Sequence, residues 1–65
     1  MNTAMPPSHE ALKVPEVMAA LRLSRSKVYD LIRSKQLDSF TAGRARRVPV
    51  DAVRQYMQDR LEEAA

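Results

Sequence analysis

The sequence predicts a mainly α-helical domain with one small β-hairpin, in the order helix, turn, helix, hairpin, helix. Two observations lead to this fold class. Apolar residues recur at three- and four-residue spacing in successive segments, and the single glycine, Gly43, separates two short strand-like runs. A chain of 65 residues suits one small domain. We assign residues 11–62 to it, residues 1–10 to a disordered N-terminal arm and residues 63–65 to a C-terminal tail.

The first helix is predicted to follow a brief extended segment over residues 12–14. Pro15 suits the first helical position, because the N–H that proline lacks has no partner to lose there. Glu16 places a negative charge near the positive end of the helix dipole. The apolar stripe of this helix consists of Val17, Met18 and Leu21.

The second helix is predicted to begin after Ser24, whose hydroxyl can cap the first turn. Its core-facing stripe consists of Val28, Leu31 and Ile32, and Leu37 follows the helix. At about 100° per residue, a polar and mostly basic side projects away from this stripe. That side carries Ser26, Tyr29, Asp30 and Arg33, with Arg25 and Lys27 flanking it at the N-terminus.

The hairpin is predicted between Phe40-Thr41 on one strand and Val48 with Val50 on the other. Gly43 can supply the positive φ that a tight turn requires. Pro49 restricts the second strand to an edge or a strand end. Three arginines near the turn are expected to point outward, because burying them would cost several kcal/mol each. They are Arg44, Arg46 and Arg47.

The last helix is predicted from Asp51 onward, where an acidic residue favours a helix start. Its apolar residues at helical spacing are Val53, Tyr56, Met57 and Leu61. We expect these side chains to complete one small core that extends from Leu12 to Leu61.

The composition argues against an enzyme. The chain has no cysteine, one histidine and one glycine, so it lacks a disulfide frame, a thiolate zinc site and a glycine-rich phosphate loop. No nucleophile constellation or converging pair of carboxylates is suggested, and we expect no cofactor and no metal. Apolar runs are too short to span a membrane and no secretory signal is present, so we expect a cytoplasmic protein.

The charge distribution is typical of a nucleic-acid binder. The chain carries 11 Lys and Arg against 8 Asp and Glu, a net charge of +3. Residues 22–47 contain eight basic and two acidic residues, a net +6, and the remaining residues contain three basic and six acidic, a net −3. A basic centre between acidic ends favours a polyanionic partner. Ordinary solvated surface charge is the alternative interpretation.

The segment from Leu12 to Met57 resembles the excisionase-type winged helix-turn-helix domains, which are relatives of the MerR-like and AlpA-like DNA-binding domains. The most specific elements are Leu23-Ser24-Arg25-Ser26-Lys27-Val28-Tyr29 at the second helix and Gly43-Arg44 followed by Arg47-Val48-Pro49 in the wing. The resemblance implies that the second helix enters the DNA major groove and that the wing contacts the adjacent backbone or minor groove. The helix residues implied are Arg25, Ser26, Lys27, Tyr29 and Arg33, and the wing residues are Arg44, Arg46 and Arg47.

Two positions depart from the pattern of these relatives. Arg22 occupies the turn between the first two helices, where relatives often have glycine. A non-glycine residue in a left-handed turn costs about 1–2 kcal/mol, so this turn is expected to be rearranged or mildly strained. Arg46 occupies a position where relatives often carry an aromatic residue. The arginine would lose packing within the hairpin and gain a contact with a phosphate.

The function implied by the resemblance is that of an excisionase, a recombination directionality factor. Such a protein binds repeats near an attachment site on double-stranded DNA, bends the DNA and promotes excision by a phage integrase, with copies side by side on the DNA. It would be associated with the nucleoid of a bacterial host. A small AlpA-like transcriptional regulator is the alternative, and an interaction module that binds no nucleic acid is a third hypothesis.

Overall fold

A computed structural model describes residues 10–64, which form three helices and one three-stranded sheet. The elements in chain order are β1 (Ala11–Lys13), α1 (Val14–Leu21), α2 (Arg25–Arg33), β2 (Phe40–Ala42), β3 (Ala45–Pro49) and α3 (Val50–Ala64). The predicted fold class, mainly helical with a hairpin before the last helix, is confirmed. The predicted N-terminal arm lies outside the described residues except for Glu10, and α3 includes two residues of the predicted tail.

The sheet has the order β1-β3-β2 and is antiparallel throughout. The brief extended segment predicted over residues 12–14 is strand β1 at its first two positions, whereas Val14 already begins α1. Leu12 lies opposite Val48. Val50 was predicted in the second strand, but it begins α3, and its N–H donates to the carbonyl of Glu10 at 2.9 Å. Pro49 ends β3, as predicted for a residue that cannot donate to a ladder.

We call the hairpin of β2 and β3, Phe40–Pro49, the wing. Ala42 pairs with Ala45, so its turn has two residues. Gly43 has φ of 65°, and Arg44 is not among the residues with positive φ. Positive φ at the first turn residue alone is the pattern of a type II′ turn, which favours glycine there and matches the twist of the strands. The predicted role of Gly43 is confirmed.

The two ends of helix α1 are formed by a capping hydrogen bond and a left-handed residue, which the sequence partly predicts. The N–H of Lys13 donates to Glu16 Oε1 at 2.7 Å, so this carboxylate satisfies an N-terminal donor. At the other end Arg22 has φ of 59° and ψ of 44°, and the Leu23 N–H donates to the Met18 carbonyl at 3.0 Å. This is a left-handed helix end that normally selects glycine. The strain expected at Arg22 is therefore present.

Replacing Arg22 with glycine is expected to give a more stable protein than replacing it with alanine. Both variants lose the same charge, but only glycine adopts the left-handed φ of this position without a steric cost. We expect a difference of about 1 kcal/mol in the free energy of unfolding, measured by urea titration. An alanine variant at least as stable as the glycine variant would show that Arg22 is not strained.

Helix α2 is capped as predicted and ends in a way that the sequence analysis missed. Ser24 Oγ accepts from the Lys27 N–H at 3.2 Å, which confirms the predicted cap. After the helix, Lys35 has φ of 67°, and the Gln36 N–H donates to the Leu31 carbonyl at 3.0 Å. A second basic residue thus occupies a left-handed position that favours glycine.

The core lies between α1, α2, β3 and the first turns of α3. Its buried members among the described residues are Val14, Val17, Val28, Leu31, Leu37, Val48 and Val53. Tyr56 packs partly against this core, as predicted. The prediction that Met57 and Leu61 complete the core is wrong, because they are 42% and 66% exposed. Their spacing is helical, but together with Leu21 and Leu23 they line an open hollow instead of being covered.

Candidate nucleic-acid interface

The N-terminal end of α2 presents three of the predicted DNA-contacting residues together. Arg25, Ser26 and Lys27 are all exposed, and no acidic residue lies in this first turn. Basic side chains at a helix N-terminus oppose the helix dipole, so they do not stabilise α2 itself. Together with backbone N–H groups that have no intrahelical partner, they form a positive end that attracts anions such as phosphates.

The remaining predicted residues of α2 follow on the same side. Tyr29 lies one turn from both Arg25 and Arg33, so these three form one stripe along the helix. Tyr29 is half-buried and packs against the core, which fixes its ring and leaves part of it accessible. Arg33 is exposed and forms an ion pair with Asp30. The pair keeps Arg33 near the helix surface.

The wing arginines do not all project from the tip, contrary to the expectation from the sequence. Arg44 alone lies in the turn and is exposed, whereas Arg46 and Arg47 belong to β3 and are half-buried. Arg46 Nη1 donates to Ser39 Oγ at 2.9 Å, and Arg47 Nη1 donates to the carbonyl of Arg46 at 3.1 Å. Each guanidinium thus has one acceptor within the protein, and part of each side chain remains accessible to water.

Strand alternation places Arg46 and Arg47 on opposite faces of the sheet. Arg46 lies on the face of Val48, which is buried in the core. Arg47 lies on the other face, where its cross-strand neighbours are Lys13 on β1 and Phe40 on β2. Phe40 is 44% exposed, so this outer face combines two basic residues with an accessible aromatic ring.

Arg46 and α2 meet at a hollow beside the C-terminal end of the helix. The hollow is lined by Ile32, Arg33, Lys35, Leu37, Asp38, Ser39 and Arg46. Arg33 and Arg46 were predicted as functional residues, but not as residues that line the same surface. Lys35 was missed, and its one signal was its position within the basic segment 22–47.

The charges on α3 differ from those on α2 and the wing. Arg54 pairs with Asp51 at 3.7 Å, and Arg60 pairs with Glu63 at 2.8 Å. Within residues 10–64, by contrast, no carboxylate forms an ion pair with Arg25, Lys27 or Arg44. The uncompensated positive charge is therefore concentrated on α2 and the wing, as binding to a polyanion requires.

The described part of the chain offers little for other chemistry. Residues 10–64 contain no group of three or more His, Cys, Asp or Glu side chains that could hold a metal ion. In the same range, no helix combines the length and the apolar character needed to cross a bilayer. What the arrangement provides is a basic, partly preorganised surface.

Comparisons with known proteins agree with this geometry. Residues 11–61 match the helix-turn-helix domain family, which covers most of the chain. The chain is also 58% identical over 64 residues to a protein named excisionase from Streptomyces ambofaciens, covering 98% of each sequence. No solved structure gives a significant match. The resemblance identified from the sequence is confirmed, and the chain belongs to the excisionase family of helix-turn-helix proteins, which is a DNA-binding family and not a family of catalytic enzymes.

Proposed function

We propose that this protein is a DNA-binding excision factor whose α2 reads the major groove. The observation that carries the proposal is the positive N-terminal end of α2, in a chain that is 58% identical to an excisionase. Exposed Arg and Lys side chains there can donate to guanine edges or to phosphates. The proposed contacts on the helix are made by Arg25, Ser26, Lys27, Tyr29 and Arg33.

The wing clamps the DNA next to the groove that α2 occupies. Arg44 at the turn contacts phosphates or the minor groove, and Arg46 and Arg47 contact the backbone from the two faces of the sheet. Contacts to phosphates position the domain, while contacts to base edges specify the sequence. On this account the DNA-binding domain comprises residues 11–62.

A single small domain buries roughly 600–1,000 Å² on DNA, which limits affinity and specificity. We therefore propose that copies bind side by side on repeats near an attachment site and bend the DNA between them. The acidic C-terminal part of α3, which carries Asp59, Glu62 and Glu63, can face the basic part of a neighbour or a phage integrase. The bent complex would direct the integrase toward excision.

The role is tested by a recombination assay in which the cognate integrase acts on a substrate with recombined attachment sites. Adding the protein is expected to increase the yield of excised product. As a matched control, a variant with Arg25 and Lys27 replaced by alanine is expected to leave the yield at the level of integrase alone. If the wild-type protein leaves both yield and direction unchanged but alters reporter expression from a nearby promoter with dose, the chain acts as a transcriptional regulator instead.

A further inference from the structure

The hollow between the end of α2 and the wing combines positive charge from two separate elements. Arg33 comes from the last turn of α2, Lys35 from the residues that follow the helix, and Arg46 from β3. Asp38 is the one acidic lining residue, so the lining residues carry a net charge of +2, and Asp30 outside the lining pairs with Arg33. Side chains distant in sequence but convergent in space form a better anion site than a run of adjacent charges, because they surround the ligand.

One member of the hollow is fixed in place before any ligand arrives. Arg46 donates to Ser39 Oγ at 2.9 Å in a partly buried contact, and both residues line the hollow. A guanidinium has five N–H donors, so the contact with Ser39 leaves others for an anion. Because its position is already restrained, Arg46 loses less conformational entropy when it binds.

Lys35 occupies a backbone position that is unfavourable for any residue with a side chain. Its φ of 67° is in the left-handed region, which glycine adopts more easily than lysine does. Within the described residues Lys35 makes no ion pair, so no carboxylate compensates its charge. A strained residue whose uncompensated charge lines a basic hollow indicates a role in binding.

We propose that Lys35, Arg33 and Arg46 form a site for one phosphate group of the DNA backbone, at the junction of α2 and the wing. The inference rests on the proposed function and extends it, because it adds Lys35 as a contact and Ser39 as the residue that positions Arg46. A phosphate held by both elements fixes the register of α2 relative to the wing on the duplex. Asp38 weakens the site by repelling the phosphate.

The test uses the full chain and a short duplex of random sequence, with affinity measured by fluorescence anisotropy at several salt concentrations. Lys35→Ala and Lys35→Gly are both expected to weaken binding by about fivefold at low salt and to make the salt slope shallower by about 0.9. Lys35→Arg keeps the affinity, and Asp38→Asn raises it. Arg54→Ala is the matched control, because it removes one positive charge from α3 and is expected to change the affinity less than twofold.

Stability measurements separate binding from folding. Lys35→Gly is expected to melt about 4 °C above Lys35→Ala, since only glycine relieves the left-handed strain, yet both variants bind DNA equally weakly. Lys35 variants that bind DNA as Arg54→Ala does would overturn the phosphate site and leave the proposed function intact.

A second measurement decides the case in which the wild-type protein binds no DNA and the proposed function fails. Inorganic phosphate is titrated into the protein, and the backbone amide chemical shifts are followed by NMR. Shifts that saturate at residues 33–39 and 46 and are absent in Lys35→Ala support a phosphate site independently of DNA. Unchanged shifts at these residues would overturn it.

Discussion

Replacing Arg25 and Lys27 together with alanine is expected to weaken DNA binding by about 100-fold, since each basic contact is worth roughly 1–3 kcal/mol. Both side chains are exposed at the N-terminal end of α2, and neither forms an ion pair within residues 10–64. The fold is expected to be kept or slightly stabilised, because the substitutions remove positive charge from the positive end of a helix dipole. Anisotropy titration with a short duplex and thermal unfolding measure the two effects.

The control for this variant removes the same charge from α3. Arg54 and Arg60 lie on α3 and are paired with Asp51 and Glu63. Replacing both arginines with alanine is expected to weaken binding less than about threefold, because distant charges are screened by salt. Equal losses in the two double variants would mean that net charge, and not the surface of α2, determines DNA binding.

Replacing Leu31 with alanine is expected to remove a large fraction of the free energy of unfolding. Leu31 is only 2% exposed and lies in the core beside the other buried residues. Removing a buried leucine side chain costs about 2–5 kcal/mol, since the transfer free energy is lost and a cavity remains. A domain of this size has a total stability of roughly 3–10 kcal/mol, so a loss of this size is a large fraction of it. Circular dichroism and urea titration measure the loss.

Leu61 provides the matched control for this prediction. It is also a leucine on a helix, but it is 66% exposed. Leu61→Ala is expected to change the free energy of unfolding by less than about 0.5 kcal/mol, as surface substitutions usually do. A loss at Leu61 comparable to that at Leu31 would show that α3 packs along its whole length, against the core or against another copy of the chain.

The features that the sequence predicted correctly depend on neighbouring residues in the chain. Ser24 caps α2 because its hydroxyl reaches an N–H three residues later. Gly43 makes the hairpin turn because it alone there adopts positive φ. The buried stripe of Val28 and Leu31 follows from helical periodicity. In each case the determining contact lies within a few residues, so composition and spacing were sufficient to predict it.

The features that were missed depend on contacts between distant segments. The pairing of β1 with β3 joins segments that are separated in sequence by α1, α2 and β2, and no local pattern indicates it. Arg46 and Arg47 lie on opposite faces because β3 extends to Ala45, whereas the sequence interpretation placed them near a turn. Leu61 has the spacing of a core residue, but periodicity does not show whether another element is present to cover it.

Part of the candidate interface could be predicted from local sequence patterns in the same way. The exposed residues of α2 follow from the buried stripe, because the remaining positions of an amphipathic helix must face outward. The hollow shared by Arg33, Lys35 and Arg46 was not accessible, since it requires the relative position of α2 and the wing. Lys35 was missed because a left-handed φ at a non-glycine residue has no sequence signature of its own.

In the proposed function, α2 and the wing bind the backbone and the groove of double-stranded DNA through their basic residues. The most direct test is the salt dependence of duplex binding by the wild-type protein. With five or six phosphates neutralised, the logarithm of the association constant is expected to fall with the logarithm of salt concentration at a slope of about −5. A flat salt dependence, or no complex at low salt, would show that these basic residues do not bind DNA phosphates.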